Sequence, residues 1–228
     1  MDLDLHYENL WSEAVSQFHQ NNFEIDPLID STADQRRGIT LLIRPPKQVK
    51  KNILKFTTAL KKVAPNQYYY PSSDIHITIM SIISCHEGFD LSRLNISAYL
   101  ELIHLSIENT SQNQIHFKGI TASNSCIMLK GFPQNDTLNV IRNNLRVNFG
   151  NTELENSMDK RYKIMTAHST VVRFKENVTK TDELLHILEK YRDFDFGNFN
   201  VTSYELVFND WYQKKEFRKL LQRFKVPN

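Results

Sequence analysis

The chain has 228 residues, 40% of them hydrophobic and 24% charged, with 28 Lys and Arg against 26 Asp and Glu. That is an ordinary globular composition, and it argues against a disordered, collagen-like or fibrous protein. A formal net charge of +2 falls far short of the dense basic patch of a protein that grips duplex nucleic acid by neutralising phosphates.

The start, Met1 to His6, is acidic and lacks the basic residues and apolar run of a secretory signal. Leu10, Trp11, Ala14, Val15 and Phe18 then recur at helical spacing and predict an amphipathic helix over Tyr7 to His19. Gly38 to Ile43 is a short apolar run stopped by Arg44-Pro45-Pro46, the pattern of a buried strand. Val49, Ile53, Phe56, Leu60 and Val63 predict a helix over Lys47 to Val63, with a Lys-rich outer face. Tyr68 to Ser84 reads as extended, turning at Pro71 to Asp74, and Leu91 to Ile107 as a helix. Two strands are expected over Gln114 to Leu129, around a turn at Ser123-Asn124-Ser125, with Gly131-Phe132-Pro133 as the exit. Asp136 is placed to cap a helix that runs to Phe149. A strand over Tyr162 to Phe174, a helix over Thr181 to Arg192, a strand over Val201 to Phe208 and an amphipathic stretch over Tyr212 to Phe224 complete the chain.

Helices and strands alternate, β-α-β material appears twice, and no Pro/Gly/Ser linker divides the chain. The expected fold is α+β: one domain over 1–228, with an N-terminal helical extension over 1–36. In the 37–228 core, two packed lobes would keep helices outside and antiparallel-rich sheets along a central cleft. Cys85 and Cys126 are too few for a disulfide framework and read as reduced thiols. The longest apolar stretch, Ile75 to Ile83, is too short to span a bilayer. A cytoplasmic monomer without membrane, metal or cofactor is the expectation.

Two short patterns carry the chemistry. Asp74-Ile75-His76-Ile77-Thr78-Ile79-Met80 and Thr166-Ala167-His168-Ser169-Thr170-Val171-Val172 both reduce to His-x-Thr-hydrophobic in a β-like run. Residues two apart on a strand share a face, so each imidazole sits beside a hydroxyl. Two such pairs across a groove would hold a phosphate between Thr78 and Thr170, with His76 and His168 as acid and base on either side of phosphorus. Which histidine takes which role stays open at this level. One such motif alone is as readily a structural histidine, and His104-Leu105-Ser106, in a helical stretch, is the decoy that shows it. The second copy is what gives the signal weight.

These motifs resemble those of the two-histidine phosphoesterase superfamily, with its 2′-5′ RNA ligase-like proteins and cyclic phosphodiesterases. The likeness extends from about Arg37 to Val226. It includes Tyr70-Pro71 ahead of the first motif, Arg173 after the second, and Tyr204-Glu205-Leu206-Val207-Phe208 with Tyr212 and Phe224 as a closing strand and helix. It implies a bilobal fold with a pseudo-two-fold axis. It also implies cleavage or formation of 2′,3′-cyclic or 2′-5′ phosphodiesters on a nucleotide or RNA end. Met80-Ser81-Ile82-Ile83 stands where that family carries an aromatic and a glycine. Arg173 is placed either to neutralise a phosphate or to end a strand at the surface, Tyr70 to stack a base or pack the core, and Trp211 and Tyr212 to line the cleft or support it. Cys85-His86-Glu87 lacks a partner cluster at zinc spacing. A nucleotide- or RNA-binding module without turnover, or an enzyme for a small cyclic phosphate, are the competing readings.

Overall fold

The Asp2 carboxylate accepts a hydrogen bond from the Leu5 amide at 3.1 Å, satisfying one of the donors that a helix start leaves open. In the computed structural model, which describes residues 2–226, the helix it caps, α1, runs Leu3–His19. Tyr7, Trp11, Ala14 and Phe18, spaced by four and three, form its buried face. β1 (Arg37–Ile43) is buried from Gly38 to Ile43 and lies between two neighbours in its sheet, so its edges are paired as well. α2 (Lys47–Lys61) turns Val49, Ile53, Phe56 and Leu60 inward. There follow β2 (Tyr68–Tyr69), β3 (Ile77–His86), α3 (Ile96–Ile107), β4 (Gln114–Ser123), β5 (Cys126–Pro133), α4 (Thr137–Gly150), β6 (Ser169–Arg173), α5 (Thr181–Lys190), β7 (Asp195–Asn200), β8 (Ser203–Asp210) and β9 (Lys219–Lys225).

The fold is α+β, with two antiparallel sheets. One has the order β3-β1-β8-β9 and the other β2-β6-β5-β4-β7. α2 follows a strand of the first sheet yet packs on β7 and β6 of the second; α4 follows a strand of the second yet packs on β3 of the first. This exchange is the duplication that the twice-repeated β-α-β pattern suggested. It also brings β3 and β6, the strands that follow the two histidines, to the junction between the sheets. α1 lies against β4 of the second sheet and touches α5.

Three expectations need correction. The stretch from Tyr212 is a 3-10 turn over Lys215–Phe217 and then β9, so the closing element is a strand and not a helix. Its register on β8, from Ser203↔Lys225 to Phe208↔Lys219, gives the β8 backbone the partners it would otherwise lack, which outweighs a helix-like spacing of apolar residues. β7 was not expected at all. Gly197, at φ +108°, interrupts its alternation, so Phe196 and Phe199 are both buried although they stand three apart. The strand expected from Tyr162 begins only at Ser169, and residues 151–168 form an irregular wall.

Candidate active site

His76 and His168 each stand one residue before a strand, β3 and β6. From each, burial alternates: the histidine and the threonine two residues on are partly exposed, while Ile77, Ile79, Ser169 and Val171 are buried. His76, Thr78, His168 and Thr170 line one open cleft. The structure thus brings both halves of the repeated pattern together.

Hydrogen bonds orient the two imidazoles differently. His76 Nδ1 is 2.7 Å from the Asp74 carbonyl oxygen, which can only accept, so Nδ1 carries the proton and Nε2 of the neutral ring has its lone pair free. His168 Nδ1 is 2.6 Å from the Thr166 hydroxyl, which can donate or accept. The carbonyls flanking Asp74 are fixed in turn. Arg44 donates to the Ser73 and Ile75 oxygens, and Arg218 donates to the Ser73 oxygen and the Asp74 carboxylate.

Both rings are held neutral over the physiological range. Burial, then the Arg44 charge, push His76 down to about 3, against the Asp74 carbonyl, which favours the charged ring; His168 and Arg218 lower it further. Burial, then Arg142, Arg173 and His6, push His168 down to about 4. A bound anion would act in the opposite sense on both.

Two buried contacts tie the motifs to each other. Ser169 Oγ donates to the His76 carbonyl at 2.7 Å, directly from one motif to the other. Arg142 of α4, only 1% exposed, donates from Nε to the Ile79 oxygen at 3.0 Å and from Nη2 to the oxygens of Thr78 at 3.3 Å and Thr166 at 2.7 Å. Ser169→Ala should lower stability by about 1 kcal/mol, the net worth of one such bond, measured by urea unfolding. A loss below about 0.3 kcal/mol would mean that water replaces the hydroxyl and that the tie is not needed.

Residues 40–226 match the family described as the AKAP7 2′5′ RNA ligase-like domain. The chain belongs to that family, within the two-histidine phosphoesterase superfamily. No curated protein matches it in sequence. Among solved structures it is similar to TT0787 of Thermus thermophilus, at 16% identity and TM-score 0.57, over 82% of this chain and 97% of that one. It is also similar to E. coli LigT complexed with 3′-AMP, at 14% identity and TM-score 0.57, over 85% and 99%. A conserved Agrobacterium tumefaciens protein of unknown function, ATU0111, matches at 12% identity and TM-score 0.57, over 93% and 97%. At these identities the likeness is one of fold. No helix among the described residues is long and apolar enough to cross a membrane.

On this phosphoesterase frame the remaining expected residues separate. Arg173 lines the cleft and uses Nε to donate to the Tyr70 hydroxyl at 3.0 Å. Tyr70, 7% exposed, lines the same cleft with its ring centroid 6.5 Å from that of His76. Tyr212 is not brought to the cleft: it is 2% exposed, and its hydroxyl donates to Asp26 and accepts from Arg36. Its neighbour Trp211 lines the cleft instead, with the Arg36 and Arg161 guanidinium carbons 4.8 and 4.2 Å from its ring centroid.

The irregular wall adds Ser157, Asp159, Arg161, Tyr162 and Ile164, which no local pattern marks as functional. Arg142 did leave a signal: it sits on the buried stripe of α4 with Leu138, Leu145 and Phe149. A charged residue on an apolar face announces a buried polar task.

Proposed function

We propose that the protein is a metal-independent phosphodiesterase acting on 2′,3′-cyclic or 2′-5′ phosphodiesters of a nucleotide or RNA end. The observation that carries this reading is the convergence of both His-x-Thr pairs in one cleft, locked together by Ser169 and Arg142. Thr78 and Thr170 bind the phosphoryl oxygens and Arg173 offsets their charge. Trp211 and Tyr162 in the cleft wall support a nucleotide over a small polar metabolite. The whole chain acts as one two-lobed domain, in a reducing cytoplasm that fits its free thiols.

His76 is the base and His168 the acid in the hydrolytic direction. The free lone pair on His76 Nε2 takes the proton of the attacking water as its oxygen bonds to phosphorus. His168, whose Nδ1 faces a hydroxyl able to accept as well as donate, takes up a proton when an anionic diester binds. The Thr166 hydroxyl rotates to accept from Nδ1, and Nε2–H protonates the leaving oxygen as its bond to phosphorus breaks. The pair then returns to its starting state by proton exchange with solvent.

The test is hydrolysis of a panel of 2′,3′-cyclic nucleotides and 2′-5′-linked dinucleotides in excess EDTA, wild type beside His168→Ala. Turnover that survives chelation and disappears in the variant is the expected result, and the reactive panel member identifies the bond. Activity lost to EDTA and restored by a divalent ion would overturn the metal-independent scheme. Tight binding of the panel without turnover would favour the non-catalytic module.

A further inference from the structure

Residues 20–36 lie between α1 and β1, ahead of the 40–226 stretch that matches the family. They run from the second sheet to the first. At one end the Glu24 amide donates to the Asn124 oxygen at 2.9 Å, at the tip of the β4–β5 hairpin. The Asp26 amide donates to the Phe174 oxygen at 3.0 Å, just past β6. At the other end the segment meets the turn after β8, which carries Trp211 to the cleft. There the Tyr212 hydroxyl lies 3.0 Å from both carboxylate oxygens of Asp26, and Lys214 Nζ donates to the Ile29 oxygen.

Arg36 stands at the centre of this contact. Its Nε and Nη2 donate to the two oxygens of the Asp34 carboxylate at 2.9 and 2.7 Å, a two-point grip that fixes the plane of the guanidinium. Nη2 also donates to the Tyr212 hydroxyl at 3.1 Å. The guanidinium carbon is thereby placed 4.8 Å from the centroid of the Trp211 ring, within the range at which a cation attracts an indole face. Asp34 already offsets the Arg36 charge, and Arg36 does not line the cleft, so it is not placed to hold a substrate phosphate. Arg161 also approaches the ring, at 4.2 Å, but it is exposed and pairs with no carboxylate among the described residues. The turn is closed by the Gln213 amide on the Asp210 oxygen and the Lys214 amide on the Asp210 carboxylate. Those bonds fix the backbone around Trp211 but not the rotamer of its side chain. Of the two guanidiniums at the ring, Arg36 is the fixed one.

We propose that Arg36 is a positioning residue for Trp211: gripped by Asp34 and by the Tyr212–Asp26 pair, it holds the indole as the wall against which a nucleobase stacks. Residues 20–36 are on this account part of the substrate site, acting on affinity and not on the chemical step. The inference rests on the nucleotide reading proposed above for the identity of the stacked group, but not for the fixing of the ring.

The test is ¹⁹F NMR of full-length protein labelled with 5-fluorotryptophan, with the Trp211 line assigned as the one missing from Trp211→Phe. Arg36→Gln should shift or broaden the Trp211 line in the free protein and leave that of Trp11 in place. It should weaken binding of 3′-AMP by about five- to tenfold, the scale of losing a fixed stacking surface, while binding of inorganic phosphate changes less than about twofold. On the reactive substrate KM should rise to match, with kcat within about twofold of wild type. Tyr212→Phe removes the second grip on Arg36 and should act in the same direction, by about two- to threefold. Lys175→Gln breaks the ion pair to Asp30 on the same segment without touching Arg36, and should leave every reading unchanged. A folded Arg36→Gln with the wild-type Trp211 line and 3′-AMP affinity overturns the proposal, and so does an equal loss of 3′-AMP and phosphate. If that variant does not fold, Tyr212→Phe decides on the same readings. Should the wild type bind 3′-AMP no better than phosphate, the nucleotide reading fails, while the Trp211 line of the free protein still supports or overturns the role of Arg36.

Discussion

His168→Ala and His76→Ala should each lower kcat by about 10²–10⁴-fold, the range over which a positioned acid or base contributes. KM should move little, because Thr78, Thr170 and Arg173 still hold the diester. Neither substitution should unfold the protein, since each ring makes a single hydrogen bond at Nδ1 and stands partly open to the cleft. The double variant should be hardly worse than either single one, because acid and base act in one step and their losses do not add. Steady-state kinetics on the reactive panel member, with thermal unfolding alongside, provides the check. A single variant that keeps more than about half of wild-type kcat would sink the paired scheme.

The same histidines give a pH signature whose sign follows from their surroundings. His76 faces Arg44, Arg218 and His168, and His168 faces Arg142, Arg173 and His6; each is a cation or becomes one, and burial adds to their effect. In the unfolded chain both rings titrate near 6.5, whereas in the folded protein they titrate at about 3 and about 4. Between those limits the unfolded state binds more protons, so stability falls as pH drops below about 6.5. From pH 6.5 to about 5 the loss amounts to a few kcal/mol for the two rings together, given about 1.4 kcal/mol for each tenfold difference in proton affinity. A variant with both rings replaced by Asn should show a flatter fall in Tm between pH 7 and 5. For catalysis, kcat/KM reports the free enzyme and should decline from pH 5 to 8. The bound anion raises both rings, so the alkaline limb of kcat should lie at higher pH than that of kcat/KM. A kcat/KM that climbs with pH across this range would contradict the assignment of a protonated imidazole as acid.

The chemistry-bearing residues were the most legible part of the chain because both copies of the pattern lie in locally regular backbone. His76 and Thr78, and His168 and Thr170, share a face through strand geometry alone, so spacing was enough to pair them. What spacing could not show was decided by distant partners. β9 is a strand because β8 needs hydrogen bonds, a demand that no window around Leu220 to Phe224 contains. β7 was hidden by the single Gly197, which shifts Phe199 back to the buried side. Tyr212 was expected at the cleft, with Trp211, from their place after the closing strand. Adjacent side chains diverge, and Asp26, 186 residues away in sequence, holds the tyrosine hydroxyl in the interior. The cleft wall from Ser157 to Ile164 has no period to read, so its membership could come only from the folded chain.

Arg142 carries the second large expectation. Its guanidinium is buried, and among the described residues it pairs with no carboxylate within ion-pair distance; three main-chain oxygens and Asn139 Oδ1 receive its protons instead. Burial pushes it down only to about 10, so it remains a cation at neutral pH. Arg142→Met fills much of the same space and removes the desolvation cost of the charge, which works in favour of the variant. Against that, it strips donors from the oxygens of Thr78, Ile79 and Thr166, and each buried acceptor left unpaired costs about 1–3 kcal/mol. The second effect is larger because there are three acceptors and one charge, so a net loss of about 2–4 kcal/mol is expected. In a chain of this length that corresponds to a Tm lower by roughly 5–15 °C. All three released oxygens belong to the two motifs, so the imidazoles lose their common brace. kcat should then fall by more than about tenfold even in protein that is fully folded at the assay temperature, since small misplacements of paired groups are costly. Arg142→Lys keeps the charge but cannot span both motifs from one ammonium, and should retain more stability than activity. If Arg142→Met instead kept wild-type Tm and kcat, the bridge between Thr78 and Thr166 would be incidental, and Ser169 would be left as the contact that sets the distance between the two histidines.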